Sequence, residues 1–448
     1  MNSPSILDYL VFECPTTEQV NVLKAMQEFV DPENKEDFMV LCGAAGTGKS
    51  SITSALVGYL NDQEKGYRIS APTGRAARIL GRKANAITST IHSMIYVPNT
   101  GNSNGQVEFK LKGKIDANPA VYIIDEASMI PSKKSGGNEL FVTDNSLLKD
   151  LITFVKNANA KNKLIFLGDT YQLPPIGEKD SLALQASYLE SEYGLTGTSH
   201  LLTEVKRQED GSYVLTNANQ IKGAIDRSES RCEIAGEKSK NIYQAAQNYM
   251  KDFQENGFEH TVSIAVSHKA NGFFNKLVRE KMFGLTSNVL EPGDLLMVNQ
   301  NWSRDGERLF NGDHVELIKV ELDKIEVVAG LSFVPVEVRP VSGASNDLII
   351  SDYALLDCIL LPGGNIDFKK DGELRRQRYA KNQIFRQSGM PGDDRYVGAL
   401  RLTYGHSITC NKAQGGEWHK VFINTWGIPT LQWQYTAVTR AISQVERY

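Results

Sequence analysis

Cysteine is sparse in this chain. The five residues, Cys14, Cys42, Cys232, Cys358 and Cys410, are scattered, and no two form a Cys-x-x-Cys pair. That excludes a disulfide framework and a thiolate zinc site as organising devices, and a reducing intracellular compartment is the default expectation. No apolar run approaches the roughly 20 residues that span a bilayer. The first ten residues have neither a basic start nor a long apolar core, so no signal peptide and no membrane partner are expected. An excess of positive charge is missing too: 49 Lys and Arg against 53 Asp and Glu give a formal net charge of −4. A protein that coats nucleic acid shows the opposite balance, so a polyanion site here must be local. The one dense basic run, Lys369 to Arg386, is either such a site or a solvated helix face. With 448 residues, 41% hydrophobic and 23% charged, two to four soluble globular domains are expected.

One stretch dominates what is present. Gly43-Ala44-Ala45-Gly46-Thr47-Gly48-Lys49-Ser50 follows an apolar run, Phe38 to Cys42, and leads into a helical pattern opening at Ser51. A strand, G-x-x-x-x-G-K-[ST] and a helix make the P-loop context. Its glycines let successive N–H groups turn toward phosphate oxygens, and the helix start adds partial positive charge. Lys49 is expected to reach the β- and γ-phosphates, and the Ser50 hydroxyl to hold Mg²⁺. The chain is therefore expected to bind a nucleoside triphosphate.

Further elements fit around that loop. Val121 to Ile124 is an apolar run of the kind buried in a parallel sheet, and it ends in Asp125 and Glu126. Asp125 is expected on the Mg²⁺ and Glu126 as the base that activates water. Lys163 to Gly168 is a similar strand running into Asp169-Thr-Tyr-Gln172-Leu-Pro174-Pro175. Gln172 has the chemistry to touch a γ-phosphate or its water, and the prolines could wall a base. Thr16 or Thr17 can cap a helix that carries Gln19, whose amide complements the N6/N7 edge of adenine. Pro72-Thr73 after the strand Tyr67 to Ala71, and Thr90-Ile91-His92, bring hydroxyls and a basic ring to the ends of apolar elements, as phosphate contacts do. Four strand-like runs separated by helix-sized intervals predict a doubly wound parallel α/β sheet. Residues 97–119 read as a small inserted hairpin with Phe109 near its working end, or as a surface loop.

The second half opens with Leu201 to Gln208. A helical stretch, a strand over Thr261 to Val266 and an amphipathic helix over Asn271 to Met282 then indicate a second α/β segment. From about 292 to 397, short strands alternate with Gly, Asn and Asp turns, which suggests an inserted small β-barrel. Strands return at Leu400 to Thr409 and Lys420 to Asn424. An arginine supplied across a cleft is the usual stabiliser of NTP hydrolysis, and two lone arginines of the second half are candidates.

The order of motifs resembles superfamily 1 helicases of the 5′-to-3′ branch, the RecD-, Pif1- and Dda-like enzymes, with a layout nearest the phage helicase Dda. Pro15 to Gln19 resembles the Q motif, Gly43 to Ser50 motif I, Ala71 to Ala77 motif Ia, Ser89 to His92 motif Ib and Ile124 to Ser128 motif II. Gly168 to Pro175 resembles motif III, Leu202 to Gln208 motif IV, Thr409 to Glu417 motif V and Tyr435 to Arg440 motif VI. The resemblance covers nearly the whole chain. It implies two RecA-like P-loop domains in tandem: 1–199 with a pin at 97–119, then 200–291 with 398–448, and an SH3-like domain at 292–397.

It further implies that Arg207 and Arg440 contact the γ-phosphate, that Gln414 lies near the nucleotide, and that Thr73, His92, Thr409 and Lys412 contact the DNA backbone. Phe109 would then be a strand-separating wedge. Asn411 stands where the family usually has His before Lys412, so a neutral donor replaces a chargeable one. The expected activity is an ATP- and Mg²⁺-dependent DNA helicase moving 5′ to 3′ on single-stranded DNA and acting at single/double-strand junctions. The expected setting is a monomer of bacterial or phage cytoplasm, with a single-strand-binding protein or replication and recombination factors as partners. A translocase that strips proteins from DNA is the nearest alternative. A P-loop small-molecule kinase and a non-catalytic clamp fit the two-domain layout and the intact carboxylate and arginine set less well.

Overall fold

The computed structural model describes residues 4–11, 14–99, 107–113, 116–134, 141–205, 213–285, 288–341 and 348–448. The chain divides into two compact units. The first holds Met1–Val97, Phe109–Gly136 and Thr143–Asp210, and the second Pro98–Glu108, Gly137–Val142 and Gly211–Tyr448.

The first nine strands are β1 (Phe38–Gly43), β2 (Gly66–Ala71), β3 (Thr88–Thr90), β4 (Tyr96–Asn99), β5 (Val107–Leu111), β6 (Ala120–Ile124), β7 (Phe141–Val142), β8 (Lys163–Gly168) and β9 (Gly197–Leu202). Six of them make one sheet in the order β3-β2-β6-β8-β1-β9, parallel at every pairing. All six residues of β1 and all five of β6 are buried, as a sheet covered on both faces requires. Their side chains alternate between two cores. Phe38, Val40, Tyr122 and Ile124 enter one, while Met39, Leu41, Val121 and Ile123 enter the other, following the two-residue period of a strand.

Because the strands are parallel, the loops that follow β1, β6 and β8 emerge at one edge. β8 lies between β6 and β1, so the segment after it emerges between the other two. The run at Leu201, expected to open the second half, instead completes this first sheet: β9 pairs with β1 from Phe38↔Gly197 to Gly43↔Leu202. As an edge strand it is only partly buried, which hid it from apolar patterning. Within the expected insertion β4 and β5 are neighbours, with β7 beyond β5, in a separate three-stranded sheet; residues 100–106, where a hairpin turn would fall, lie outside the described residues.

In the second unit, β10 (Glu237–Lys238), β11 (Thr261–Ala265), β20 (Ser407–Thr409), β21 (Trp418–Ile423) and β22 (Ala441–Arg447) form a parallel sheet ordered β10-β22-β21-β11-β20. The intervening β12 (Leu295–Val298), β15 (His314–Val320), β16 (Glu326–Val328), β17 (Leu331–Pro340), β18 (Ile350–Leu355) and β19 (Leu402–Tyr404) pair antiparallel. A hairpin of β13 (Trp302–Arg304) and β14 (Glu307–Leu309) stands beside them. Arg279, on the helix His268–Phe283, reaches Asp294 at 2.6 and 2.9 Å through two nitrogens, and both side chains are buried.

Candidate nucleotide site and nucleic-acid face

The P-loop closes because two of its glycines take backbone conformations other residues resist. Gly46 and Gly48 have φ of 85° and 93°, and a Cβ on Gly48 would lie 2.6 Å from Nε2 of Gln19. Gly48 caps the helix Lys49–Asp62, whose first N–H groups face the loop. Thr47 is buried, with its hydroxyl donating to the Ala44 carbonyl at 2.9 Å. The Lys49 ammonium lies within the loop and donates to the carbonyls of Gly43 and, at 3.0 Å, Ala44. Ala45, Gly46, Ser50 and Ser51 are half-buried, so the loop's mouth is accessible.

Gln19 departs from its expected role. It is 1% exposed; its oxygen accepts from the Thr16 N–H at 2.9 Å and its nitrogen donates to the Thr47 carbonyl at 2.9 Å. The sequence shows a capping box, Thr16 with Gln19 at the third helical position, and the structure forms it. Gln19 thus braces the P-loop against the helix Thr17–Phe29 rather than presenting its amide edge to a base.

Asp125 follows β6, with its N–H donating to the Ser70 carbonyl at 2.9 Å. Burial raises its carboxyl above the usual range, opposed by the Glu126 N–H and by the charges of Lys49 and Lys83. Lys49 therefore lies close enough to Asp125 to act on it electrostatically. Glu126 stands in the left-handed region at φ 51°, a conformation that costs about 1–3 kcal/mol for a side chain of this kind and that clusters at working sites.

Asp169, after β8, is buried and accepts from the Tyr171 N–H. Burial of Cys42, and then the charge of Asp169, push its thiol up to about 11, against the pull of Lys49. Asp169, Lys49 and the end of β1 are thus neighbours, which sequence order alone did not show. Gln172 is 4% exposed, and its Oε1 accepts no hydrogen bond from the described residues. A buried acceptor left open is costly unless something donates to it, and an attacking water is one such donor. Ser50 and Asp125 offer hard oxygens, and among the described residues no three His, Cys, Asp or Glu gather as a metal cage. That set suits Mg²⁺, which takes its other ligands from phosphates and water.

The remaining predicted residues fall into distinct environments. Thr73 caps the helix Gly74–Ala84, accepting from the Ala76 N–H at 3.2 Å, with Pro72 half-buried before it. His92 is exposed, its ring 5.7 Å from that of Tyr96. Pro174 is half-buried. Phe109 stacks on Tyr96 at 5.6 Å and packs against the first unit's core, so the structure corrects its placement at a wedge tip: the ring anchors β5.

In the second unit, Thr409 ends β20 and Asn411 lies half-buried beyond it. Lys412 donates to the Asn311 side chain, and burial lowers its ammonium to about 8. His268 is lowered by burial and by Lys412, so His268 and Asn311, absent from the sequence-based set, join Lys412. Gln414 is buried. Arg440 is 4% exposed, donating to Thr436 O at 3.1 Å, Gly416 O at 3.3 Å and Thr439 Oγ1 at 3.1 Å. Its guanidinium ties motif VI to the loop of motif V, and reaching a phosphate requires exchanging these bonds. Arg207 lies outside the described residues.

A family model for an AAA domain matches residues 17–233, and one for a UvrD-like helicase C-terminal domain matches 404–445. The chain is similar to the ATP-dependent RecD2 DNA helicase of Deinococcus radiodurans, 30% identical over 141 residues, which cover 31% of this chain and 16% of that one. It is similar to the ATP-dependent DNA helicase dda of Enterobacteria phage T4, 24% identical over 318 residues, covering 67% of this chain and 65% of the relative. The chain thus spans a small part of the first relative's length and just under two thirds of the second's. The crystal structure of the Pif1 helicase from Candida albicans aligns with a TM-score of 0.51 at 17% identity over 97% of this chain and 94% of the other, a likeness of fold.

Two parallel-sheet units, with a P-loop and a carboxylate pair on the first, define a P-loop protein of the RecA-like class. Within that class the chain is similar to the RecD2, RRM3 and Dda DNA helicases.

Proposed function

We propose that this protein is an ATP-dependent DNA helicase that translocates 5′ to 3′ on single-stranded DNA and opens duplexes at junctions. The observation that carries this reading is the convergence of Lys49, Asp125 and the Asp169–Gln172 segment at one edge of the first sheet. Together with motifs V and VI in the second unit, these are the parts of a nucleic-acid-driven phosphate hydrolase. The Gly43 to Ser51 backbone would cradle the triphosphate, and Lys49 would exchange its carbonyl partners for phosphate oxygens. Ser50 and Asp125 would hold Mg²⁺, which neutralises charge on the phosphates when bound. Glu126 would take a proton from the attacking water, oriented by the open Oε1 of Gln172. Arg440, with Arg207, would stabilise charge on the departing phosphate.

Pro72, Thr73, His92 and Pro174 in the first unit, and Thr409, Asn411 and Lys412 in the second, are proposed to hold the strand. The antiparallel strands within 292–397 are proposed as the SH3-like domain, and 97–119 as the pin. Unwinding of a 5′-tailed duplex but not a 3′-tailed one, in ATP and Mg²⁺, tests polarity and activity together. ATP-driven removal of a bound protein without strand separation would favour the translocase instead.

A further inference from the structure

The dense basic run folds as two helices, Phe368–Lys381 and Gln383–Ser388, between β18 and β19. The structure sorts its cations into two kinds. Arg375 is buried beside Asp371, and Arg378 is held by Asp394 at 2.9 Å. Arg376 pairs with Glu373 at the surface. Lys369, Lys370, Lys381 and Arg386 are exposed and form no ion pair with the described residues. Two acids of the segment are already engaged: Asp371 also binds Arg401, and Asp367 caps the longer helix.

On a chain of net charge −4, four unopposed cations on one short segment are a local concentration. Lys381 and Arg386 lie in the last turns of their helices, where the helix's partial charge favours cations. Lys369 and Lys370 occupy the first turn, where it disfavours them, so stability does not account for that pair, and a local rule broken in this way marks function.

The segment also starts close to the proposed strand contacts of the same unit. A Cβ on Gly363 would lie 3.1 Å from the His268 ring, and His268 is the neighbour of Lys412. The four residue-to-residue steps from Gly363 to Asp367 reach at most about 14 Å. The helix then runs on for 14 residues, about 21 Å, comparable with about six base-pair steps of duplex.

We propose that the exposed face of these two helices docks the phosphate backbone of duplex DNA. The proposal rests on the helicase reading and adds a second, double-stranded partner surface to it. A single strand is a poorer fit, because sequence-tolerant binding of single strands uses aromatic platforms in series and this face exposes only Tyr379 among its aromatics. An acidic peptide would be drawn by the same charge, but Lys369 and Lys381 lie at the two ends of one helix, about 18 Å apart along its axis, a length that a regular polyanion spans without having to fold.

The test compares the full chain with the variant Lys369→Gln, Lys370→Gln, Lys381→Gln, Arg386→Gln. Affinity for a blunt duplex and for oligodeoxythymidine is followed by fluorescence anisotropy from 50 to 300 mM salt, with a thermal melt to confirm folding. The expected result is weaker duplex binding and a plot of log affinity against log salt that is shallower by about 0.9 for each phosphate no longer neutralised, with oligodeoxythymidine binding and the ATPase it stimulates unchanged. Unchanged duplex affinity and slope overturn the proposal. So does an equal loss for both DNAs, or a loss confined to a poly-glutamate peptide. If oligodeoxythymidine fails to stimulate ATP hydrolysis by the unaltered protein, the helicase reading fails, while the duplex measurement still judges this surface.

Discussion

Gln19→Ala separates two roles for a buried amide next to the P-loop. The substitution leaves the Thr16 N–H and the Thr47 carbonyl without their partners, in a place where Gln19 is 1% exposed. A buried polar group left unmade costs about 1–3 kcal/mol. With partial relaxation, and with the Thr16 hydroxyl still capping the Gln19 N–H, a loss of about 2 kcal/mol is expected. For a unit of this size, each kcal/mol corresponds to about 2–4 °C, so its melting transition should fall by about 4–8 °C. The Thr47 carbonyl is part of the loop that holds phosphate, so ATP and GTP should lose affinity by similar factors. The assay is a thermal melt paired with nucleotide titrations. An unchanged melt with selective loss of ATP over GTP would refute the brace and restore Gln19 as a reader of adenine.

Arg440→Ala should leave ATP binding within a few-fold while lowering turnover by about 10³-fold or more, measured by nucleotide titration and steady-state hydrolysis. Asp294→Ala removes the carboxylate bonded to the buried Arg279 guanidinium and should destabilise the second unit by about 3–5 kcal/mol, seen in denaturant unfolding. Lys412 supplies a pH dependence. Its lowered value of about 8 means the folded protein releases this proton more readily than the unfolded chain does. Stability from this group therefore rises as pH increases from about 8 toward the unfolded lysine value, because the unfolded state binds more protons there. Affinity for a phosphate backbone should move the opposite way, falling as pH rises through about 8, and Lys412→Arg should flatten that fall in an oligonucleotide titration.

What was legible in the sequence was what chemistry constrains locally. Gly46 and Gly48 had to be glycine at φ near 90°, and β1, β6 and β8 had to be apolar because both their faces are covered. Those features place Lys49, Asp125 and Gln172 at one sheet edge without coordinates. The misses are interactions made over long sequence separations. Nothing near residue 19 announces that its amide will meet the Thr47 carbonyl, and nothing near 311 or 268 announces Lys412. β9 was assigned to the wrong half because an edge strand with exposed positions carries little apolar signal. Phe109 looked like a free wedge because its partner, Tyr96, lies on the neighbouring strand.

Steady-state ATP hydrolysis with and without a short oligodeoxythymidine tests the central claim most directly, with Lys49→Ala as the control. The account predicts strong stimulation by the oligonucleotide and no turnover in Lys49→Ala. Turnover that ignores DNA, or that survives in Lys49→Ala, would contradict it.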